Sequence, residues 1–206
     1  MTAGQQMTNS QGVEIALFPL EYMNISQGEG GSYSHQGRWA IDFLGWDAFG
    51  RVYECPYYAP FSCHVVQHAS YYNVWQSNNQ VITPSGKKYA TFVVMHDENP
   101  PALGTYKNQG EVIGHTGTKT SPGGTPVTGD HVHMQGASGQ FAGWINNGHD
   151  LRNREHIYNL FYVNDTVIID GYGYNWRTYD GGITPTDGKK YKFKWVLYAN
   201  KLRGLK

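Results

Sequence analysis

The sequence predicts a mainly β, antiparallel fold with few short helices. Glycine and tyrosine are abundant, at 26 and 16 of the 206 residues, and aromatic residues make up 15% of the chain. This composition is typical of turn-rich β proteins rather than helix bundles. Short apolar or alternating runs recur between clusters of Gly, Pro, Asn and Ser, the pattern of short strands joined by turns. With 39% hydrophobic residues, the chain can build the core of one domain, with or without an appendage.

Six strands are predicted in the first half of the chain, at residues 13–20, 39–44, 61–66, 72–75, 80–83 and 89–96. Residues 1–12 are small and polar, and we expect a loose lead-in there. Residues 24–34 are rich in Gly and Ser and predict a loop that leads to His35. Turns are expected at residues 47–50 and 84–86, where turn-forming residues separate the strands.

The second half continues this pattern, with one interruption. Further strands are predicted at residues 111–114, 129–135, 162–170 and 191–199. Residues 116–129 are glycine-rich and predict a loop that leads into the second of these strands. Residues 144–157 predict a short helix that starts near Asp150.

Charge is unevenly distributed along this formally neutral chain. Residues 1–188 carry nine basic and sixteen acidic side chains, whereas residues 189–206 carry seven basic and no acidic ones. A basic end of this kind is attracted to polyanions, and the attraction is sensitive to salt. A solvated strand and terminus is the alternative interpretation of the same residues.

Neither a membrane span nor a disulfide framework is expected. No apolar run approaches the roughly 20 residues needed to cross a bilayer. The first residues lack the basic start and apolar stretch of a secretory signal. Cys55 and Cys63 are the only cysteines, and we expect reduced thiols because two cysteines do not make a framework.

A His-x-His pair is the sharpest chemical feature of the sequence. On a strand, His131 and His133 point to the same face. A catalytic zinc commonly has three protein ligands and a water, so the pair needs partners elsewhere. The candidates are His35, Asp42 and His96. Three ligands and two spare histidines suit amide hydrolysis, in which zinc activates water and a neutral imidazole takes its proton. A chance surface pair is the alternative interpretation.

Three stretches of the sequence resemble the lysostaphin-type zinc endopeptidases of bacterial cell walls, most nearly the versions carried by bacteriophages. The stretches are residues 34–43 (SHQGRWAIDF), residues 92–97 (FVVMHD) with 107–114 (KNQGEVIG), and residues 116–133, which end in GDHVH. They occur in the order found in that family and cover roughly residues 33–136. Three motifs in order are far more specific than one.

The resemblance implies a role for each candidate residue. His35, Asp42 and His133 are expected to bind one Zn²⁺. His131 is expected to act as general base toward the metal-bound water. His96 is expected to stabilise or protonate the tetrahedral intermediate. The implied fold is an antiparallel β-sheet groove with few short helices.

One departure from the family pattern concerns the carboxylate ligand. Many members place the Asp four residues after the first His, whereas six residues separate His35 from Asp42 here. A bulge or loop is expected to return Asp42 to the metal, and Asp47 is the alternative ligand. Asp130 adjoins the His-x-His pair but is expected to point to the opposite face.

The implied activity is zinc-dependent hydrolysis of an amide bond in the stem peptide or cross-bridge of peptidoglycan. A phage lysin, present in the host bacterial cytoplasm before lysis, and a virion-associated hydrolase both fit. A peptidase domain is expected over residues 1–180, with its core at 13–137, followed by a basic extension at 181–206 that weakly contacts anionic wall polymers. No contact with nucleic acid and no membrane insertion are expected. The alternative function is a non-catalytic module that binds peptidoglycan or builds a phage tail.

Overall fold

The computed structural model describes residues 1–124, 127–148, 150–180 and 184–185. Its main element is a nine-stranded mixed sheet. The nine strands are β1 (Tyr22–Gln27), β2 (Ala40–Leu44), β3 (Cys63–Ala69), β4 (Tyr72–Ser77), β5 (Ala90–Met95), β6 (Tyr106–Lys107), β7 (Val132–Ser138), β8 (Arg154–Glu155) and β9 (Val167–Ile169). The spatial order is β6-β3-β4-β5-β7-β2-β1-β9, and β8 also pairs with β7. Only the pairing of β9 with β1 is parallel among these described strands.

Shorter strands surround this sheet in two-stranded pairs. They are Met7–Thr8 with Thr184–Pro185, Trp46–Asp47 with Gly50–Arg51, Pro56–Tyr58 with Val112–His115, Val81–Thr83 with Gly86–Lys88, and Trp144–Ile145 with Asp150–Leu151. The described helices are one 3₁₀ turn, Asn146–Gly148, and one α-helical turn, Ile157–Leu160. No helix in the described part of the chain is long and apolar enough to span a bilayer.

The register of the central strands aligns the chemically important residues. His133 of β7 pairs with Asp42 of β2 on one side and with Met95 of β5 on the other. His96 directly follows Met95, so it lies at the same end of the sheet as His133 and Asp42. Because successive side chains alternate between faces, Val132 and its neighbours on the core side face away from these polar residues.

An aromatic core covers the opposite face of the sheet. Phe18 makes edge-to-face contacts with Phe43 and Trp176, with ring centroids 5.0 and 5.6 Å apart. Phe92 and Phe161 meet in the same way at 5.7 Å. Edge-to-face packing adds stability beyond the area that the rings bury. Residues from both the β2–β7 region and the later part of the chain therefore share one core.

The mainly β fold is confirmed, and so are most of the predicted strands. Strands occur where they were expected at residues 39–44, 61–66, 72–75, 80–83, 89–96, 111–114 and 129–135, with shifts of a few residues at their ends. The turn expected at residues 47–50 joins Trp46–Asp47 to Gly50–Arg51. The strand predicted at 191–199 and the extension predicted at 181–206 lie largely outside the described residues.

The N-terminal predictions are wrong. Residues 1–12 are not a loose lead-in, because Met1 and Met7 are fully buried and Met7–Thr8 is a strand. Residues 24–27 belong to β1 rather than to a loop, since Asn24, Ile25 and Gln27 pair with β2, and Asn24 also pairs with β9. Residues 13–20 form isolated bridges rather than a continuous strand.

Two predictions in the second half also need correction. Residues 144–157 form short strands and a 3₁₀ turn, and the α-helical turn starts only at Ile157. The apolar residues of this segment pack against the sheet, which outweighs local helix propensity. Of residues 162–170, only Val167–Ile169 is a strand, and it is parallel to its neighbour, which makes the sheet mixed rather than antiparallel.

Candidate metal centre

Three buried side chains converge at one end of the central sheet. His35 Nε2 lies 3.2 Å from Asp42 Oδ1, and His133 Nδ1 lies 3.0 Å from the same oxygen. The two imidazole nitrogens are 3.1 Å apart. Among the described residues, this is the group of His, Cys, Asp and Glu side chains whose ligand atoms all lie close enough to hold one metal ion.

The size of this triangle matches a zinc site. Ligand atoms about 2.0–2.2 Å from a tetrahedral zinc are separated from one another by roughly 3.3–3.6 Å. The three observed edges, 3.0–3.2 Å, are within a few tenths of an ångström of that range. Two imidazole nitrogens and one carboxylate oxygen also form a donor set that zinc accepts. The residues present therefore fit a bound zinc ion with little rearrangement.

The loop before β2 supplies His35. Its ring Nδ1–H donates to the carbonyl of Gly28 at 3.0 Å, which leaves the Nε2 lone pair for a metal. Gly37, with φ of +70°, turns the chain after His35 so that β2 begins at Ala40. This turn absorbs the six-residue spacing, and Asp42 returns to the centre as expected.

His133 is held from its second ring nitrogen by Gln135, its neighbour on the same face of β7. The Gln135 carboxamide lies 3.0 Å from His133 Nε2. An amide can present its oxygen or its nitrogen to a ring, and ligation through Nδ1 requires the oxygen, which accepts Nε2–H. Gln135 was not predicted from the sequence, although its i+2 position after His133 was a usable signal.

His131 and His96 lie beside the triangle without being part of it. His131 Nδ1–H donates to the carbonyl of Gly129 at 2.7 Å, and its Nε2 lies 3.7 Å from Asp42 Oδ1. His96 Nδ1–H donates to the carbonyl of Lys119 at 2.8 Å. The rings of His96 and His131 have centroids 4.6 Å apart. Each ring therefore keeps its Nε2 available for proton transfer.

Burial and hydrogen bonding set the charges of this group. Burial would raise the pKa of Asp42, but its close contacts with the His133 and His35 rings outweigh it and hold that pKa well below the usual range. Burial lowers the pKa of His133. Burial, together with the neighbouring His131, lowers the pKa of His96 to about 4. An ionised carboxylate is the form of Asp42 that can bind a metal ion.

The backbone at His96 is in the left-handed region, with φ of +79°. Such a conformation is costly for a non-glycine residue and persists only where the surroundings enforce it. The next residue, Asp97, is buried and accepts hydrogen bonds from Tyr57 Oη (3.0 Å), the Asn99 amide (2.8 Å) and the His115 amide (2.9 Å). This anchored carboxylate holds the strained residue before it in place.

Gly114 closes the space around this anchor. A Cβ at Gly114 would lie 2.1 Å from Asp97 Oδ2 and 2.2 Å from Tyr57 Oη. We therefore expect Gly114→Ala to destabilise the protein by about 1–3 kcal/mol, the usual cost of overpacking a buried site. Denaturant unfolding measures the change. Gly171→Ala is the control, because no atom lies within 4 Å of its Cβ position; equal losses in the two variants would contradict the prediction.

The triangle opens into a groove of about 760 Å³. Its walls include Tyr33, Arg38, Tyr71, Met95, Thr120 and Ser121. A groove of this size can hold a ligand of small-molecule dimensions. Tyr71 lines the groove, whereas Tyr57 and Trp75 are fully buried in the core.

The acidic residues near the candidate ligands have other partners. Asp47 Oδ1 accepts the backbone N–H groups of Phe49 and Gly50 in its turn. Asp130 accepts hydrogen bonds from Thr116 Oγ1 at 2.6 Å and from the Glu54 amide at 3.0 Å. The described metal-binding group thus contains Asp42 and neither of these two carboxylates.

The remaining histidines and cysteines are distributed as follows. His64 and His68 bond to Asn78 and Asn73, and His156 bonds to Glu29. His115 ends a short strand, and its segment pairs with Pro56–Tyr58. His149 lies outside the described residues. Cys55 and Cys63 are free thiols.

Comparison of sequences finds similarity to a phage protein. No family model matches the chain. Morphogenesis protein 1 of Bacillus phage B103 is 39% identical over 178 residues, which cover 83% of this chain and 46% of the relative. The chain therefore spans about half the length of the curated relative that it matches.

Comparison of structures gives weaker similarities. The catalytic domain of lysostaphin from Staphylococcus simulans has 17% identity and a TM-score of 0.38, over 64% of this chain and 88% of that one. A zinc-containing peptidase from Vibrio cholerae has 16% identity and a TM-score of 0.39, over 65% of this chain and 43% of that one. Helicobacter pylori Csd3 has 15% identity and a TM-score of 0.39, over 65% and 35%. The chain is thus similar in sequence to part of a phage morphogenesis protein.

Proposed function

We propose that the chain is a zinc-dependent endopeptidase that hydrolyses an amide bond in the stem peptide or cross-bridge of peptidoglycan. The observation that carries this proposal is the buried triangle of His35, Asp42 and His133 at a groove, with His131 and His96 beside it. In the proposal, the first three residues hold the metal and the other two handle protons. The similarity to a phage protein supports a phage lysin or a virion-associated hydrolase.

In this proposal, each side chain of the site has a separate role in amide hydrolysis. A zinc ion held by the three ligands would polarise the substrate carbonyl and lower the pKa of water. His131 would accept the proton of the attacking water at Nε2, because Nδ1 is occupied by its bond to Gly129. His96 would act in its protonated form: with Nδ1–H bonded to the carbonyl of Lys119, it would take up a proton from solvent at Nε2 and donate from there to the developing oxyanion or the leaving amine.

Digestion of purified peptidoglycan tests the proposal. Walls from several Gram-positive bacteria are incubated with the zinc-loaded protein, with and without a chelator, and the released fragments are analysed by mass spectrometry. We expect fragments with new amino termini that disappear with the chelator and return when zinc is restored. The position of each new terminus identifies the bond that is cut.

A non-catalytic module in phage assembly is the second candidate, and the name of the phage relative favours it. No release from any wall, with zinc fully bound and peptidoglycan retained in a pull-down, would support that module instead. The basic residues 189–206 lie outside the described part of the chain. In our proposal they add a weak, salt-sensitive attraction to anionic wall polymers.

A further inference from the structure

One peptide unit connects the metal ligand His35 to a tyrosine far along the chain. The carbonyl of Gly28 accepts the Nδ1–H of His35 at 3.0 Å. The N–H of the same peptide unit, which belongs to Glu29, donates to Tyr174 Oη at 2.8 Å. Because both groups belong to one amide, the two hydrogen bonds act in series from the tyrosine to the imidazole.

Hydrogen bonds in series strengthen one another, because each polarises the amide that makes the next. A donor bond from Nδ1 also fixes the imidazole tautomer and leaves the Nε2 lone pair for the metal. The Tyr174 hydroxyl therefore influences both the orientation of the His35 ring and its basicity, although it lies outside the ligand triangle.

The contact between Tyr174 and this peptide is sterically close. A Cβ at Gly28 would lie 2.4 Å from Tyr174 Oη and 2.7 Å from the ring of Tyr172. The missing side chain at Gly28 thus lets the two tyrosines approach the peptide that receives the His35 bond.

Tyr174 is itself held from two sides. Its ring stacks on Tyr158, with centroids 5.2 Å apart and an interplanar angle of 17°. Its backbone N–H donates to the Asp170 carboxylate at 3.0 Å, and the same carboxylate accepts Trp176 Nε1–H at 3.0 Å. A side chain fixed in this way can orient the group that it contacts, whereas a mobile one cannot.

We infer that Tyr174 is a positioning residue for the metal centre, acting on His35 through the peptide unit between Gly28 and Glu29. The inference rests on the proposed function, since it takes zinc binding at His35 as given. It gives residues 170–176, which lie outside the stretches that resemble known peptidases, a role in metal affinity.

Zinc affinity of the full chain tests this inference. The metal-free protein is titrated with Zn²⁺ against a chromophoric competitor, for the wild type, Tyr174→Phe and Tyr158→Phe. We expect Tyr174→Phe to bind zinc a few-fold more weakly, which is less than the cost of about 10–100-fold for losing the direct outer-shell partner, here the retained Gly28 carbonyl. Tyr158→Phe is the matched control, because it removes a hydroxyl from the same stack that bonds to no described residue. It should bind like the wild type.

Two further readouts separate positioning from general destabilisation. The unfolding midpoints of the two metal-free variants should agree, while the ¹⁵N resonance of His35 Nδ1 should shift in Tyr174→Phe only. Unchanged zinc affinity in Tyr174→Phe, with one zinc bound to the wild type, would overturn the inference and leave the proposed function standing. A wild type that binds no zinc would overturn the proposed metal centre itself.

Discussion

Replacing Asp42 by asparagine is expected to abolish zinc retention and, with it, release of peptidoglycan fragments. Asp42 Oδ1 is the one carboxylate oxygen of the described triangle and lies within 3.2 Å of both imidazole nitrogens. Asparagine keeps the shape but removes the negative charge that offsets the charge of the metal. Loss of an outer-shell partner lowers metal affinity about 10–100-fold, and loss of this direct ligand should lower the zinc affinity further. Metal content after dialysis, measured by atomic spectrometry, and fragment release are the readouts.

Asp47→Asn is the matched control for this substitution. Asp47 accepts backbone hydrogen bonds at 2.7 and 3.0 Å in its turn, so its loss should affect that turn and leave zinc content unchanged. The opposite pattern, with zinc lost from Asp47→Asn and kept in Asp42→Asn, would assign the ligand to Asp47.

Replacing His131 by alanine is expected to lower kcat by about 100–10,000-fold, the usual contribution of a general acid or base. Zinc content should remain at the wild-type level, because His131 lies beside the triangle and not within it. A defined substrate fragment, identified from the digestion products, allows kcat to be measured at saturation. His115→Ala is the control, since His115 is exposed and does not line the groove.

Zinc content and kcat of His131→Ala can each differ from the expected result, and each difference has its own meaning. Loss of zinc together with activity would make His131 a ligand rather than a base. Full activity with zinc bound would exclude it as the base and leave His96 as the group to test, by the same substitution and the same measurements.

Polar and apolar residues alternate with a period of two in the strands, and this made much of the candidate metal centre predictable from the sequence. In β7, the alternation from Val132 to Gln135 already assigned the histidines to one face and the apolar residues to the other. In β2, the same alternation placed Asp42 on one face and its neighbours Ile41 and Phe43 on the other, in the core. The structure adds the register that joins the two strands at His133 and Asp42.

Long-range contacts account for what local patterns did not predict. Residues 24–27 read as a loop because Asn, Ser and Gln are poor strand formers, and their pairing depends on distant strands. The burial of Met1 depends on bonds from its amino group to the carbonyls of Phe18 and Leu20. The contact between Tyr174 and Glu29 spans 145 positions, and no local period reveals such a contact.

The parallel pairing of β9 with β1 has a consequence for synthesis of the protein. Val167–Ile169, which pairs with the outer edge of β1, is translated about 140 residues after β1. At the usual pace of translation, this delay is on the order of ten seconds. During that time the nascent chain presents an unpaired strand edge, the type of surface that recruits other strands. Co-expression with chaperones that bind unpaired strands should therefore raise the soluble yield.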